Sequence, residues 1–294
     1  MSPETGNVIE VEDLTVEFRK REGALAAVNG VNFSLARGEV LTILGESGSG
    51  KSVTLKAMMG LLPAYAYVTG QARLNGKNIL ALPPADLAKV RGGEVSMIFQ
   101  EPMAALDPVY TIGEQIAETI VQHEGISDAA AMQRALELLE RVSIPSAARR
   151  LKNYPHEMSG GMRQRAMIAL ALACSPSVLL ADEPTTALDV TVQKQILQLV
   201  RELQRNSATA ILFITHDLGV VAKLCDHVAV MHGGRVLESA PAAQLFANPT
   251  HDYTRALFAA TPRFDRPAEL LQPIPAALTQ RLAEEARAID ARDA

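Results

Sequence analysis

The sequence predicts an α/β fold with a mixed, largely parallel sheet, an antiparallel β part and a helical part. Three observations predict it. First, helical stretches and short apolar runs alternate over 162–231, and "SVLLADE", "TAILFITH" and "DHVAVM" are rich in Val, Ile and Leu, as parallel strands buried on both faces are. Second, "VIEVEDLTVEF" at 8–18 alternates apolar and polar residues, as a half-buried strand does. Third, "TIGEQIAETIVQH" and "SDAAAMQRALELLERV" place apolar residues at helical spacing, so the region from about 101 to 160 reads as a helical subdomain.

Taken in order, a second strand is expected at 28–35, then a turn at Arg37-Gly38 and the apolar run "EVLTILG". Asn75-Gly76 is a hairpin signal, because both residues tolerate the left-handed backbone a two-residue turn needs. Asp128 is the expected N-cap of the second helix in the helical block. After about 262 the chain becomes Pro-rich, then charged and helical over 276–292. Its apolar stripe (Leu278, Leu282, Ile289) is thin, so the stretch reads as a surface tail.

The chain has 294 residues, 48% of them hydrophobic, enough for a sizeable core. A net charge of −5 without a long basic run gives no support for nucleic-acid binding. Cys174 and Cys225 are the only cysteines; both sit in apolar runs and are expected as buried thiols rather than a disulfide or metal framework. No stretch reaches the roughly 18–20 apolar residues needed to cross a bilayer. The first residues, "MSPETGNVIEVEDL", lack the basic and apolar regions of a signal peptide. A cytoplasmic chain is expected, with any membrane crossing left to other chains.

Residues 45–52, "GESGSGKS", match G-x-x-x-x-G-K-[ST]. Gly45, Gly48 and Gly50, with Glu46, Ser47 and Ser49 between them, let backbone N–H groups turn toward phosphate oxygens. Lys51 adds positive charge at the outer phosphates, and Ser52 offers a hydroxyl to Mg²⁺. An apolar strand runs in and a helix runs out, which is the context the motif requires. "VLLADE" ends an apolar strand in Asp182, placed to reach Mg²⁺ through water, and Glu183 follows, able to polarise an attacking water. Gln100 and His216 end two further apolar strands, which would deliver them to the same sheet edge. At 158–162, "MSGGM" opens a helix whose free N–H groups and dipole favour an anion. An ordinary Ser-capped helix accounts for Ser159 but not for Gly160 and Gly161.

Taken together, these motifs resemble the ATP-binding-cassette (ABC) ATPases over about residues 8–250. The resemblance makes "GESGSGKS" the Walker A loop, Gln100 the Q-loop, Ser159, Gly160 and Gly161 the signature, and "VLLADE" Walker B. Asp189 becomes the D-loop residue and His216 the switch histidine, and Phe18 sits where the family stacks an aromatic on adenine. Met158 and Met162 depart from the commonest Leu and Gln, but the Ser-Gly-Gly centre is intact. The implied fold is an ABC-type nucleotide-binding domain over 1–262, with 263–294 as a tail.

"QEPMAALDPVYTIGEQIAETI", "ADEPTTALDVTVQKQIL" and "NPTHDYTRAL" narrow the resemblance to ATPase subunits of oligopeptide/dipeptide (and nickel) importers. That implies ATP and Mg²⁺ and two transmembrane permease subunits. It also implies a second ATPase subunit (a copy or a sister chain), an extracytoplasmic solute-binding protein, and a place on the cytoplasmic face of the inner membrane. Some relatives carry a cysteine cluster for iron–sulfur in the tail. No cysteine follows Cys225 here, so no such cluster is expected.

Two phosphate grips in one chain could hold one nucleotide, two, or one shared between chains, and the residues do not choose. The resemblance does: in the family, cassettes pair head to tail and each signature closes on the partner's nucleotide. Rival readings are an ABC ATPase acting on DNA or ribosomes, a phosphoryl-transfer enzyme without a transport role, and a component of a phosphonate-degrading complex. The first lacks the long coiled-coil insertion or second cassette it needs, and the second leaves the signature unexplained.

Overall fold

The computed structural model describes residues 6–20, 23–185, 190–260 and 273–293. In chain order β1 spans Asn7–Lys20, β2 Gly23–Ala36, β3 Val40–Leu44, α1 Lys51–Met58, β4 Ala66–Leu74, β5 Lys77–Asn78, α2 Pro84–Val90 and β6 Val95–Ile98. There follow α3 Ile112–Glu124, α4 Asp128–Arg141, the single turn α5 Ala147–Arg150, α6 Gly160–Ala171, β7 Val178–Asp182, α7 Val190–Ser207 and β8 Ala210–Thr215. The last are α8 Leu218–Leu224, β9 His227–His232, β10 Arg235–Pro241, α9 Ala242–Ala247, α10 Asp252–Ala260 and α11 Ala276–Asp293. The chain divides into two compact units.

One unit contains Leu35–Glu39 and Ala81–Phe213, with the residues up to Val8. In it β6 and β7 pair in parallel, from Val95 opposite Val178 to Ile98 opposite Ala181. Every residue of both strands is buried, as their apolar composition requires. Helices α3, α4 and α6 supply the helical part; α4 buries one apolar stripe, and α6 is buried all round over Ala166–Ala169. Thr111 and Glu114 start α3 with a reciprocal capping box: Thr111 Oγ1 accepts from the Glu114 N–H (3.3 Å) and the Glu114 carboxylate from the Thr111 N–H (2.8 Å). Helix α4 corrects the sequence expectation by one residue. Its cap is Ser127, whose Oγ accepts from the Ala130 N–H at 3.4 Å. Asp128 is the first helical residue, where a carboxylate complements the helix dipole instead of capping.

The other unit contains Ile9–Ser34, Val40–Leu80 and the chain from Ile214 on. Its antiparallel sheet runs β2-β1-β4-β5. Leu74 faces Lys77 across the β4–β5 turn, and Asn75 (φ 47°) and Gly76 (φ 80°) are both left-handed, the two-residue turn their pairing signals. Strand β3 lies parallel to β9, and β9 antiparallel to β10. Against these strands packs a cluster containing Leu44, Leu218, Val228, Val230, Leu245, Tyr253 and Leu282. Leu282, 7% exposed, lies on α11, and Leu278 packs on the same cluster. Arg281 adds an ion pair to Asp252 at 2.7 Å. The described part of α11 is therefore docked, not the surface tail its thin stripe suggests. One turn of Leu at i and i+4 suffices when it meets an apolar cluster already formed. The Ile289 side chain lies outside the described residues.

Neither cysteine is in a disulfide, and both are half-buried rather than buried. Each has a polar neighbour: Cys174 Sγ lies 3.7 Å from the Thr119 carbonyl, and Cys225 meets the Thr42 hydroxyl. Burial pushes the Cys174 thiol up, which keeps it protonated. Among the described residues no helix is long and apolar enough to cross a membrane.

Candidate functional site

The phosphate loop is built on β3, five buried residues that fix where Gly45 leaves the sheet. Two of its glycines are demanded by the backbone around them. A Cβ on Gly45 would collide with the carbonyl oxygen of Met231, and one on Gly50 with that of Ala27. Gly50 also has φ +103°, where an L side chain is strained. The Gly234 N–H donates to the Ser49 carbonyl at 3.0 Å, tying the loop to the β9–β10 turn. Gly50 is the N-cap of α1 and brings no side-chain cap to the first turn, where the helix dipole favours an anion. Lys51 is only 4% exposed, and its ammonium donates to the Gly45 carbonyl (2.9 Å), the Glu46 carbonyl (2.7 Å) and Ser49 Oγ (3.4 Å). A buried ammonium needs such partners. Here they hold a positive charge inside the loop. Ser47 and Gly48 form the exposed tip, and Ser52 is half-buried in the first turn of α1.

The other unit gathers the carboxylates. Asp182 ends β7 and is buried, and Glu183 follows with φ 47°. Left-handed backbone is costly for a residue with a long side chain, about 1–3 kcal/mol, so the turn is held by its surroundings. Gln100, two residues past the end of β6 and exposed, donates from Nε2 to Glu183 Oε2 at 3.4 Å. Gln164, buried on α6, donates to the Pro184 carbonyl at 2.6 Å and so braces the turn that carries Glu183. The sequence reading missed Gln164. The signal was faint, because Gln164 lies between Arg163 and Arg165 and reads as part of a polar turn.

Ser159 caps α6, its Oγ accepting from the Met162 N–H at 3.3 Å. Met158 is buried in place of the commoner Leu, so the apolar requirement at that position is met. Gly160 is exposed, and a Cβ built there meets nothing within 4 Å outside its own helix; at Gly161 it meets only the Val192 methyls, at 3.8 Å, an ordinary contact.

Phe18 sits half-buried near the end of β1, its ring 5.9 Å from that of Tyr65. Arg19 covers Tyr67 at 4.3 Å, so this strand end carries a small exposed aromatic group. His216 follows β8 and is exposed; the next residue, Asp217, caps α8 by accepting from Gly219 and Val220 N–H groups at 2.7 and 3.3 Å. Asp189 lies outside the described residues.

The family described as "ABC transporter" matches residues 28–186. The chain belongs to the ABC transporter family. Within it, the region "Oligopeptide/dipeptide transporter, C-terminal region" matches residues 237–286 of this cassette. The cassette is 52% identical over 263 residues to the probable peptide ABC transporter ATP-binding protein y4tR of Sinorhizobium fredii, covering 89% of this chain and 78% of that one. It is 51% identical over 268 residues to the oligopeptide transport ATP-binding protein OppD of Escherichia coli, covering 91% and 80%. Among solved structures it resembles the ATP-binding cassette MJ0796 in a dimeric post-hydrolysis state bound to ADP and Pi. That likeness has a TM-score of 0.72 and 27% identity, over 80% of this chain and 98% of that one. The cassette is accordingly an ATP-binding ATPase.

Proposed function

We propose that this ABC ATPase energises an importer of di- or oligopeptides, or of a similar small solute. The observation that carries the reading is the C-terminal match at 237–286, joined to the ABC transporter match at 28–186. The names of the relatives support it, and they do not favour a phosphonate-degrading assembly. Uptake of a labelled tripeptide into ATP-loaded membrane vesicles tests it. Vesicles with the wild-type chain should accumulate peptide and those with Lys51→Ala should not; equal uptake in both would end the proposal.

Lys51, the loop N–H groups and Ser49 hold the triphosphate of ATP, and Phe18 supports the adenine. Ser52, Gln100 and Asp182 are the residues to hold Mg²⁺, and a hydroxyl, an amide oxygen and a carboxylate are the hard oxygen donors it takes. Bound there, Mg²⁺ neutralises charge on the phosphates. Glu183 is the general base for the attacking water, and the Gln100 amide orients it, as their 3.4 Å contact supports. His216 steadies the γ-phosphate. Ser159, Gly160 and Gly161 receive the nucleotide of a second ATPase subunit, with Asp189 at that junction. Closing and opening of the pair drives two permease subunits supplied by an extracytoplasmic binding protein, with the cassette peripheral on the cytoplasmic face of the membrane.

A further inference from the structure

The Tyr253 hydroxyl donates to Glu46 Oε2 at 2.9 Å. Glu46 is the second residue of the phosphate loop, and its backbone carbonyl is one of the acceptors that hold Lys51. Tyr253 is 0% exposed and belongs to α10, in the C-terminal region. Its ring lies 4.4 Å from that of His232, whose Nδ1 is 3.9 Å from the same Glu46 carboxylate. Burial first, then the hydrogen bond and charge of Glu46, push the phenol up, so it remains a donor across the physiological range. Burial pushes His232 down, so its ring serves as a neutral wall rather than a second cation.

The start of α10 is itself anchored. Glu238 on β10 accepts from the Thr250 N–H and hydroxyl, both at 2.7 Å, and from the His251 N–H at 3.0 Å. Leu282 of α11 packs in the cluster that buries Tyr253. A continuous set of contacts within one unit therefore runs from the C-terminal helices to the second residue of the phosphate loop.

We infer that Tyr253 is a positioning residue for the phosphate loop: by fixing the Glu46 carboxylate it presets the loop for nucleotide, and it makes the C-terminal region part of the ATP site. This rests on residues 45–52 being the phosphate loop. The stretch that the sequence presents as a surface tail is thereby coupled to the site, because its Leu282 packs in the cluster that contains Tyr253.

The test is ATP affinity of the full-length chain in the Tyr253→Phe variant, which keeps the ring and loses only the hydroxyl. The dissociation constant should rise about tenfold, the scale of one charge-assisted hydrogen bond. Glu46→Ala should raise it similarly, and adding Tyr253→Phe to Glu46→Ala should change it no further, since the partner is already gone. In the assembled complex the KM for ATP should rise while kcat stays within about twofold, a split that general destabilisation does not produce. Unchanged affinity in Tyr253→Phe overturns the inference, and so does an equal, additive loss in the Glu46→Ala background. Should Tyr253→Phe not fold, Glu46→Ala alone decides, with unchanged affinity overturning the inference. Lys51→Ala separates the premises: if it too binds ATP normally, the phosphate-loop reading fails. If only Tyr253→Phe does, the positioning role alone fails.

Discussion

The two glycine-bearing helix starts of this cassette look alike in sequence and differ in what their glycines answer to. At the phosphate loop, Gly45 and Gly50 are required by the chain's own backbone, since a Cβ on either would strike a carbonyl oxygen. At the signature, Gly160 is exposed and open, and its own cap is already supplied by Ser159. Nothing in the described chain requires a glycine at 160. A glycine that the fold does not need is accounted for by something that must approach its backbone, and the proposed approach is by a partner's nucleotide. The first grip is closed around its own lysine, and the second faces outward.

The largest expected effect leaves both grips intact and removes the proposed general base. Glu183→Gln should lower the ATPase rate of the assembled complex by about 10²–10⁴, with ATP binding retained. Wild-type turnover in that variant would remove Glu183 from the mechanism.

Gly160→Asp cuts the comparison most directly. A carboxylate in the first turn suits the helix dipole, so the lone chain should fold and bind ATP normally. The assembled complex should fail to close and lose hydrolysis at the site this signature completes. A lone-chain ATP affinity that drops tenfold, about 1.4 kcal/mol, would mean that both grips hold one nucleotide within one chain.

Gly50→Ala is the mirror experiment. It should destabilise the lone chain by about 1–3 kcal/mol in urea and weaken its ATP binding before any partner is added. A variant with an unshifted urea midpoint would show that the loop tolerates a Cβ and that the contrast with Gly160 is unfounded.

Ser159→Ala should be milder, about 0.5–2 kcal/mol from the lost cap, read as a shift in the urea midpoint without loss of lone-chain ATP binding.

The anchor of α10 gives an effect that is read against pH. Burial raises the Glu238 carboxyl, but the nearby Thr254 hydroxyl and the hydrogen bonds from Thr250 and His251 outweigh it and hold the group at about 2, below its ordinary 4.5. Its stabilisation is therefore complete above about pH 4.5 and disappears as pH falls through about 2. The stability gap between wild type and Glu238→Gln should be constant above that window and close across it. A gap that persisted at pH 2 would place the anchor elsewhere.

Much of the site was legible because its signals are local. The glycine-lysine spacing at 45–52, the apolar run ending in Asp182 and Glu183, and the Asn75-Gly76 turn each depend on residues within a few positions of one another. The misreadings came where neighbours compete or where distance enters. Ser127 and Asp128 are both good caps, and the sequence does not say which will sit outside the first turn. The tail's thin stripe reads as exposed until a cluster from distant strands and helices receives Leu282.

By itself the sequence determined the alternation of helices and buried strands, the phosphate loop and the residues that the family uses, because periodicity and motif spacing are properties of short segments. Only the tertiary structure decided that Gln100 reaches Glu183, that Gln164 braces the turn after it, and that Tyr253 holds Glu46 from far along the chain. Those contacts join segments that share no local pattern. Gln164 and Tyr253 are buried and their polar atoms must find partners, and which partner lies within reach is set by packing rather than by order in the chain.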